Sequence, residues 1–317
     1  MGDVARLARC DASTVSLALR NDPRITAATT ARVRAAAERL NYRVNPLVSA
    51  WVSTRRAARA GPSRATLAYL TSHPPGTSWG ESQHFQSIFE GVKERATEFG
   101  YALEQFRLAD YGPQLGSLNR VLVTRAVRGL IIGPTLHHHT LTGIDWERFS
   151  LVTVGYALTA PVMHRVTEDH HFGMKLAFEA CLADGQQRIG LAITGRHHEL
   201  RRERWIGAFL AEQQVKLSAR NRLPILVADG KPEATAAWIK RARPEVVLAD
   251  EPEKWARTGV PAVGFALSSK DDRRGVHENN RGIGRSAAEL LAALVQRNER
   301  GLPVSRQTVL VEPDFER

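Results

Sequence analysis

Short apolar runs alternate with amphipathic helical runs from residue 65 almost to the end of the chain. ATLAYLTS is typical of a buried strand, FQSIFEGVKERATEFG of an amphipathic helix that ends at Gly100, and YALEQFRL of the next strand. A second series of the same kind begins near VTEDHHFGMKLAFEACLADG. Strands that alternate with helices predict parallel sheets, so two such series predict two α/β lobes.

Residues 1–42 have a different pattern, with apolar side chains at helical spacing in DVARLA, STVSLAL and TTARVRAAAERL. The segments CDAS and NDP interrupt these runs, and Thr26 can cap the third. The sequence therefore predicts three short helices, of which the first two are joined by a tight turn.

The positive charge of the chain is concentrated in its N-terminal part. Residues 1–64 contain 12 arginines and 4 acidic residues, so they hold +8 of the formal net charge of +11. A uniformly basic chain would suggest nonspecific polyanion binding, whereas this asymmetry indicates a nucleic-acid module joined to a nearly neutral one. Two isolated cysteines exclude a disulfide framework, and no apolar run approaches membrane-spanning length. We therefore expect a cytoplasmic protein.

The second predicted helix carries small polar side chains on its outer surface. Ser13, Thr14, Ser16 and Leu17 lie on one face or on adjacent faces, near the end that enters a major groove when such a helix docks on DNA. The surrounding arginines can neutralise phosphates and release counterions. The alternative interpretation is a small helical bundle with a solvated basic rim.

The segment DVARLARCDASTVSLALRNDPRITAATTARVRAAAERLNYRVNPL resembles the N-terminal domain of lac/gal-repressor-type (LacI/GalR family) transcription regulators. Their usual string is close to DVA-x-x-AGVS-x-x-TVS-R, followed by a helix that ends L-x-Y-x-P-N. The resemblance implies base-reading positions at Ala12, Ser13 and Leu17, phosphate contacts at Thr14 and Ser16, and a loop beside the groove that carries Arg24.

Two positions depart from that string. Arg9 stands where the family prefers Gly, and a left-handed conformation there would cost roughly 1–2 kcal/mol. Leu17 stands where an Arg usually reads a base, and a leucine can cover a thymine methyl but cannot donate a hydrogen bond. We therefore expect an operator unlike the commonest family sites.

Residues 44–64, VNPLVSAWVSTRRAARAGPSR, form the connection between the two parts. Pro46 suits the first turn of a short helix. The resemblance implies a hinge that becomes helical on operator DNA and inserts Trp51 into the minor groove, with Val48 beside it and Arg55 along the phosphates. The alternative is a linker whose Trp51 packs on the next domain.

The order of elements after the hinge resembles the family's effector-binding domain, in which the chain crosses three times between lobes. The predicted fold is an all-α helix-turn-helix head plus an α/β, periplasmic-binding-protein-like effector domain of two open parallel-sheet lobes. The expected domains are residues 1–43 for the head, 44–63 for the hinge and 64–317 for the effector and dimerisation domain. Lobe 1 is expected at about 64–162 and 281–302, and lobe 2 at about 163–280 and 303–317.

Ligands of open parallel sheets lie outside the carboxyl ends of the strands. The side chains just after those strands are therefore the candidates for effector binding: His73, Phe85, Asp169, Arg204, Asp250, Phe265, Glu278 and Asn280. Arg204-x-x-Gly207 matches the family's effector-holding arginine, although an interlobe salt bridge is an alternative role for Arg204. For Asp169, ligand and scaffold roles stay open. Ala266 stands where many sugar-responding relatives have an Asp.

Other motifs indicate little chemistry. Adjacent histidines at 137–139, 170–171 and 197–198 are interpreted as solvated loop residues rather than metal ligands. Gly282-x-Gly284 is interpreted as the geometry of a helix start, not as a dinucleotide fingerprint. No nucleophile elbow, Walker loop, zinc-protease string or kinase string is present, so we expect no enzyme activity, no cofactor and no metal.

The sequence thus predicts a dimeric repressor of carbohydrate-related genes that binds near-palindromic double-stranded operator DNA. A small molecule between the lobes, expected to be a sugar or a sugar derivative, would control it. A dimer is expected because one head makes too small a groove contact for tight binding. The alternative functions are a solute-binding receptor and a sugar-acting enzyme with a DNA-binding head.

Overall fold

A computed structural model describes residues 1–19, 22, 24–40, 42, 65–72, 82–134, 139–193, 199–227, 232–267 and 273–316. The head contains helices α1 (Gly2–Leu7), α2 (Ala12–Ala18) and α3 (Ala27–Arg39). Val4, Val15 and Val33, one from each helix, are buried in a common core. The Thr26 hydroxyl accepts a hydrogen bond from the Thr29 amide at 3.3 Å. The predicted helix-turn-helix head is confirmed.

The first lobe is built on a parallel six-stranded sheet in the order β13-β7-β5-β3-β1-β2. Helices α4 and α9 cover one face, and α5 covers the other. Its elements are β1 (Thr66–Thr71), α4 (Gln83–Glu98), β2 (Ala102–Arg107), α5 (Gly116–Thr124), β3 (Gly129–Ile132), β5 (Ser150–Val154), β7 (His164–Glu168), α9 (Asn280–Arg297) and β13 (Thr308–Val311). The short strands β4 (His139–Thr140) and β6 (Leu158–Ala160) pair with each other.

The second lobe contains a six-stranded sheet in the order β14-β12-β11-β10-β8-β9, in which only the β12–β14 pair is antiparallel. Its elements are α6 (His170–Ala183), β8 (Ile189–Ile193), α7 (Glu199–Lys216), β9 (Leu226–Val227), α8 (Pro232–Ala242), β10 (Val246–Ala249), β11 (Ala262–Leu267), β12 (Gly275–His277) and β14 (Asp314–Glu316). Between β10 and β11 the chain forms a 3₁₀ turn at Pro252–Trp255. The two-lobed α/β architecture is confirmed.

The chain crosses between the sheets three times, after β7, after β12 and after β13. The lobe boundaries expected at residues 162 and 303 need correction, because β7 and β13 both belong to the first sheet. Val309 lies opposite Val166 in the parallel ladder that joins these two strands. The first crossing therefore lies at residues 168–170 and the last at residues 311–314. The sequence prediction missed these positions because local hydrophobicity does not specify which strands pair. None of the helices in these described segments is long and apolar enough to cross a membrane.

Two glycines allow α4 and α9 to pack against each other at close range. A Cβ added to Gly284 would overlap the Ile88 carbonyl oxygen, and one added to Gly91 would overlap the Arg281 carbonyl oxygen. Gly282 does belong to the helix start, since its amide donates to the Asn279 side chain at 2.9 Å. The interpretation of Gly284 as helix-start geometry is therefore wrong: it is a packing residue.

Candidate functional site

Helix α2 presents its polar surface away from the core of the head. Ala12 and Ser13 are exposed, and Thr14, Ser16 and Leu17 are half-buried. The opposite face is fixed by Val15 and Ala18, which are fully buried. The side chain of Asp11, the N-cap residue of α2, makes no capping hydrogen bond. The helix can therefore offer small side chains and free amide groups to a ligand at its N-terminal end.

Arg24 lies in the loop that follows α2, where Asp22 holds its guanidinium. Arg24 Nε donates to Asp22 Oδ1 at 2.9 Å, and its terminal nitrogen donates to Oδ2 at 2.8 Å. These bonds, countered only in part by desolvation, lower the pKa of Asp22. The pair is exposed, so a phosphate can compete with Asp22 for the guanidinium. The expected DNA contacts Val48, Trp51 and Arg55, the expected effector contact His73, and His137 lie outside the described residues.

Two glutamates occupy equivalent positions where the chain leaves the strands β7 and β12. Glu168 ends β7 and precedes Asp169, the N-cap of α6, while Glu278 follows β12 and precedes Asn279, the N-cap of α9. Only 3% of Glu168 and 4% of Glu278 are exposed. Strand ends and helix starts thus place two buried carboxyl groups at the boundary between the lobes.

Side chains from both lobes converge on these glutamates. Arg201 of α7 forms an ion pair with Glu278, and its terminal nitrogen lies 3.7 Å from Glu168 Oε2. From the first lobe, His84 Nδ1 lies 2.8 Å from Glu278 Oε2. His170 Nδ1 is 3.6 Å from Glu168 Oε2. The cluster therefore connects α4, the crossings that follow β7 and β12, and α7.

The protonation states in the cluster follow from burial and from neighbouring charges. Burial and the adjacent Arg201 lower the pKa of His84 to about 3. Burial also lowers the pKa of His170, although Glu168 opposes this. For Glu168, burial alone would raise the pKa, but His170 and Arg201 reverse the effect, and the net direction is down. At neutral pH the imidazole of His84 is neutral, and in its Nδ1–H tautomer it donates to Glu278.

Several buried acceptors in this cluster have no hydrogen-bond donor in the part of the chain that the structure describes. They include both carboxylate oxygens of Glu168 and Oδ1 of Asn280, which is 1% exposed. Asn280 Nδ2 donates weakly to Glu278 Oε2 at 3.4 Å. Unsatisfied buried acceptors are costly, so this arrangement favours a ligand that brings hydrogen-bond donors. Within the described ranges, no group of three or more His, Cys, Asp or Glu side chains could hold a metal ion.

Three of the predicted effector residues lie together in this cluster: Glu278, Asn280 and Phe85, whose ring centroid is 5.4 Å from that of His84. Asp250 directly follows β10 and is 8% exposed. Asp169 caps α6, accepting from the amides of His171 and Phe172 at 3.1 and 3.0 Å. These two bonds give Asp169 a scaffold role.

Phe265 was predicted to follow a strand, but it lies within β11. Its ring is 1% exposed and meets Trp205 edge to face at a centroid distance of 4.9 Å. It therefore supports Trp205 in the core of the second lobe and offers no face to the cleft. The expectation that Phe265 lines the cleft needs correction, because the β11 register turns the ring inward.

Arg204 does not make the interlobe salt bridge that was the alternative interpretation of this residue. The Arg204 guanidinium lies 4.2 Å from the centroid of the Tyr156 ring, and no carboxylate in the described part of the chain lies within 4.0 Å of it. The interlobe salt bridge considered for Arg204 is made instead by Arg201, one helical turn earlier. Arg204 is left available to a ligand.

Sequence reasoning missed Glu168, Arg201, His84 and Tyr156. One signal was present: Arg201 is four residues before Trp205 on α7, and its guanidinium lies 4.8 Å from the indole centroid. The prediction that His170 is solvated is wrong, because it is 4% exposed. Its ring packs between Tyr156 and Trp205, at centroid distances of 5.8 and 5.6 Å.

Residues 1–45 match the model of the bacterial regulatory proteins of the lacI family. The head is therefore similar to the N-terminal domain of that family. No curated protein sequence matches the chain. Among solved structures, the chain resembles a transcriptional regulator CelR–cellobiose complex, with 18% identity, a TM-score of 0.55 and coverage of 99% of this chain and 97% of that one.

Two further structures share the fold. A lac repressor dimer bound to operator and to the anti-inducer ONPF is 17% identical, with a TM-score of 0.56 and coverage of 99% of this chain and 96% of that one. A lacI-family regulator from Rhizobium etli is 14% identical, with a TM-score of 0.57 and coverage of 80% and 97%. These similarities establish a lacI-type head on a two-lobed body of the same fold.

Proposed function

We propose that this protein is a dimeric, sequence-specific transcription regulator that represses carbohydrate-related genes and responds to a small molecule between its lobes. The observation that carries the proposal is the lacI-type head, whose helix α2 exposes Ala12 and Ser13 while its apolar face is buried. The functions of a solute receptor or of an enzyme do not explain this exposed helix surface or the net charge of +8 in residues 1–64.

In the proposed complex, α2 enters the major groove. Ala12, Ser13 and Leu17 face base edges, and Thr14 and Ser16 hold phosphates. Arg24 exchanges its bonds with Asp22 for a backbone phosphate. The segment 44–63 then serves as the hinge, with Val48 and Trp51 toward the minor groove and Arg55 along the phosphates.

Dimerisation follows from the size of the head, since one short helix gives only a small groove contact. Two heads related by a twofold axis read a near-palindrome and double the phosphate contacts. A lac repressor dimer bound to operator has the same fold, which supports the proposed dimer.

The effector site is the cluster around Glu168 and Glu278. Hydroxyl groups of a sugar would donate to the unpaired oxygens of Glu168 and to Asn280 Oδ1. The CelR–cellobiose complex is a protein of the same fold that holds a carbohydrate. Control of DNA binding requires that the effector bind one lobe arrangement more tightly than the other. Groups from both lobes contact Glu278, so a ligand at this cluster can meet that requirement.

The DNA-binding part is tested by selecting duplexes from a random near-palindromic pool with the full chain, followed by fluorescence anisotropy at two salt concentrations. Leu17→Ala should change the sequence preference, with a discrimination change of about 1–3 kcal/mol at one base pair. Leu7→Ala, which removes an exposed leucine from α1, is the matched control and should keep the preference. No preference for any duplex over bulk competitor DNA would refute the proposed function.

The effector part is tested by a thermal-shift screen with mono- and oligosaccharides, sugar acids and sugar phosphates, and each hit is titrated into the protein–DNA complex. A hit at 100 times its dissociation constant adds roughly 2.7 kcal/mol of stability. Glu168→Gln should lower the affinity for such a compound about tenfold or more, because a hydrogen bond to a charged group is lost. The control is Glu179→Gln, which replaces a half-buried glutamate that pairs with Lys216. A hit that binds both variants equally would exclude the cluster as the effector site.

A further inference from the structure

Arg165 is a buried cation that has no counterion among the described residues. It lies in β7, and only 6% of the residue is exposed. One terminal nitrogen donates to the Leu158 carbonyl at 3.3 Å, but its buried Nε has no partner. No carboxylate oxygen in the described segments lies within 4.0 Å of its guanidinium. A buried charge is normally paired, so this position lacks an anion.

A second arginine, Arg204, approaches the same place. The guanidinium carbons of Arg165 and Arg204 lie 4.8 and 4.2 Å from the centroid of the Tyr156 ring. Arg165 belongs to the first lobe and Arg204 to the second, so positive charge from both lobes meets at one aromatic ring. Burial first, and then repulsion by the exposed Arg306, lower the pKa of Arg165 to about 10. Arg201, by contrast, is paired with Glu278.

The boundary between the lobes is therefore electrically divided. One end holds Glu168 and Glu278, and the other holds Arg165 and Arg204 beside Tyr156. His170 joins the two ends: its ring centroid is 5.8 Å from that of Tyr156, and its Nδ1 is 3.6 Å from Glu168. A single small molecule can span this distance, with different chemical groups at its two ends.

We propose that the effector is a hydroxylated anion whose carboxylate or phosphate group is bound beside Tyr156 by Arg204 and Arg165, while its hydroxyl groups reach Glu168. The proposal rests on the proposed effector site in this cleft. Planar guanidinium groups bind either anion through paired, charge-assisted hydrogen bonds. An anion at this place neutralises cations from both lobes at once, and so it favours the arrangement in which Arg165 and Arg204 are close together.

The test uses small anions and the full chain, so it does not depend on knowing the natural effector. Inorganic phosphate and malonate are titrated at constant ionic strength against sodium chloride, and binding is followed by the thermal midpoint and by calorimetry. Malonamide, the neutral analogue of malonate, is the matched ligand control. Phosphate or malonate should raise the midpoint, and malonamide should not. The anion that binds more tightly indicates whether the effector carries a phosphate or a carboxylate group.

Arg204→Gln should weaken binding of that anion at least about tenfold, and Arg204→Lys should restore only part of it, because the planar fork is lost. Arg202→Gln, on another face of α7, is the control variant and should bind as the wild type does. Since Arg204 is exposed, its replacement leaves the fold intact. Arg165→Lys, which retains the buried charge, should also weaken binding.

Two outcomes would overturn the proposal: neither anion stabilises the protein beyond chloride, or Arg204→Gln binds the anion with wild-type affinity. The wild-type protein is assayed for duplex preference in parallel. A retained DNA preference without anion binding refutes only the anionic effector, whereas loss of any duplex preference refutes the proposed function itself.

Discussion

Replacing Gly284 by alanine tests the close packing of α4 and α9, on which the shape of the first lobe depends. The added Cβ would overlap the Ile88 carbonyl oxygen and lie 2.9 Å from the Val92 amide nitrogen. Both atoms belong to the backbone of α4, so no side-chain rotation relieves the overlap. The helices must separate, and the shared core of Val92, Ala287 and Ala288 must loosen.

The magnitude follows from two opposed contributions. Overpacking a core costs about 1–3 kcal/mol, and a backbone obstacle places Gly284→Ala at the upper end. Alanine offsets about 1 kcal/mol of this through its higher helix propensity. We therefore expect a net loss of about 2 kcal/mol in the free energy of unfolding. With a urea dependence of about 3 kcal/mol per molar, the midpoint should fall by about 0.7 M.

The matched control is Gly207→Ala in α7, where an added Cβ meets no atom within 4 Å. The same chemical change should there stabilise the protein by about 0.5–1 kcal/mol, through helix propensity alone. Urea unfolding followed by far-ultraviolet circular dichroism measures both variants. Gly91→Ala should resemble Gly284→Ala, and the double variant should lose less than the sum, because one separation of the helices relieves both overlaps. Equal or increased stability of Gly284→Ala would refute the packing argument.

Three further predictions concern the head and the crossings. Arg9 has φ +52°, a left-handed conformation that is strained for a residue other than glycine, so Arg9→Gly should stabilise the head by up to about 1 kcal/mol and slow hydrogen exchange in α3 about fivefold. An equal gain in Arg9→Ala would assign the effect to charge instead of strain. Asp169→Ala should cost about 1 kcal/mol of stability and Asp169→Asn much less, as expected for an N-cap; equal losses in the two variants, measured by thermal unfolding, would contradict that role. The wild type should lose stability as the pH falls below 6.5, because unfolded His84 takes up a proton that the folded protein, in which the pKa of His84 is about 3, does not. In His84→Gln, the slope of the free energy of unfolding against pH, measured by urea unfolding between pH 6.5 and 5, should decrease by up to about 1.4 kcal/mol per pH unit. His171→Gln, at an exposed position, is the control and should keep the wild-type slope. An unchanged slope in His84→Gln would show that the imidazole is charged in the folded protein.

Local patterns were sufficient to predict the elements that depend on local spacing. The helical spacing of Val4, Val15 and Val33 predicted the core of the head, and alternating strands and helices predicted both lobes. The left-handed conformation considered for Arg9 is present, because the end of α1 requires it whichever residue stands there.

Pairings between distant segments could not be predicted in the same way. Neither HRVTE in β7 nor TVLV in β13 has a local pattern that assigns it to one of the two sheets, and only their mutual ladder places both in the first lobe. Likewise, nothing near Gly284 in the sequence shows that the Ile88 carbonyl oxygen faces it. In both cases the deciding contact comes from a segment more than a hundred residues away.

Arg201 and Arg204 show why the cleft was harder to predict than the fold. The two arginines are three residues apart on one helix, and the sequence gives each of them the same charge and reach. Arg201 is neutralised because Glu278 lies opposite, whereas Arg204 meets the ring of Tyr156. The two arginines differ because α7 places one of them opposite Glu278 and the other opposite Tyr156, and this placement depends on how the two lobes are oriented relative to each other. Any change in that relation must redistribute these contacts, so the same geometry that divides the cleft into an acidic and a basic end also makes its charge balance sensitive to lobe movement.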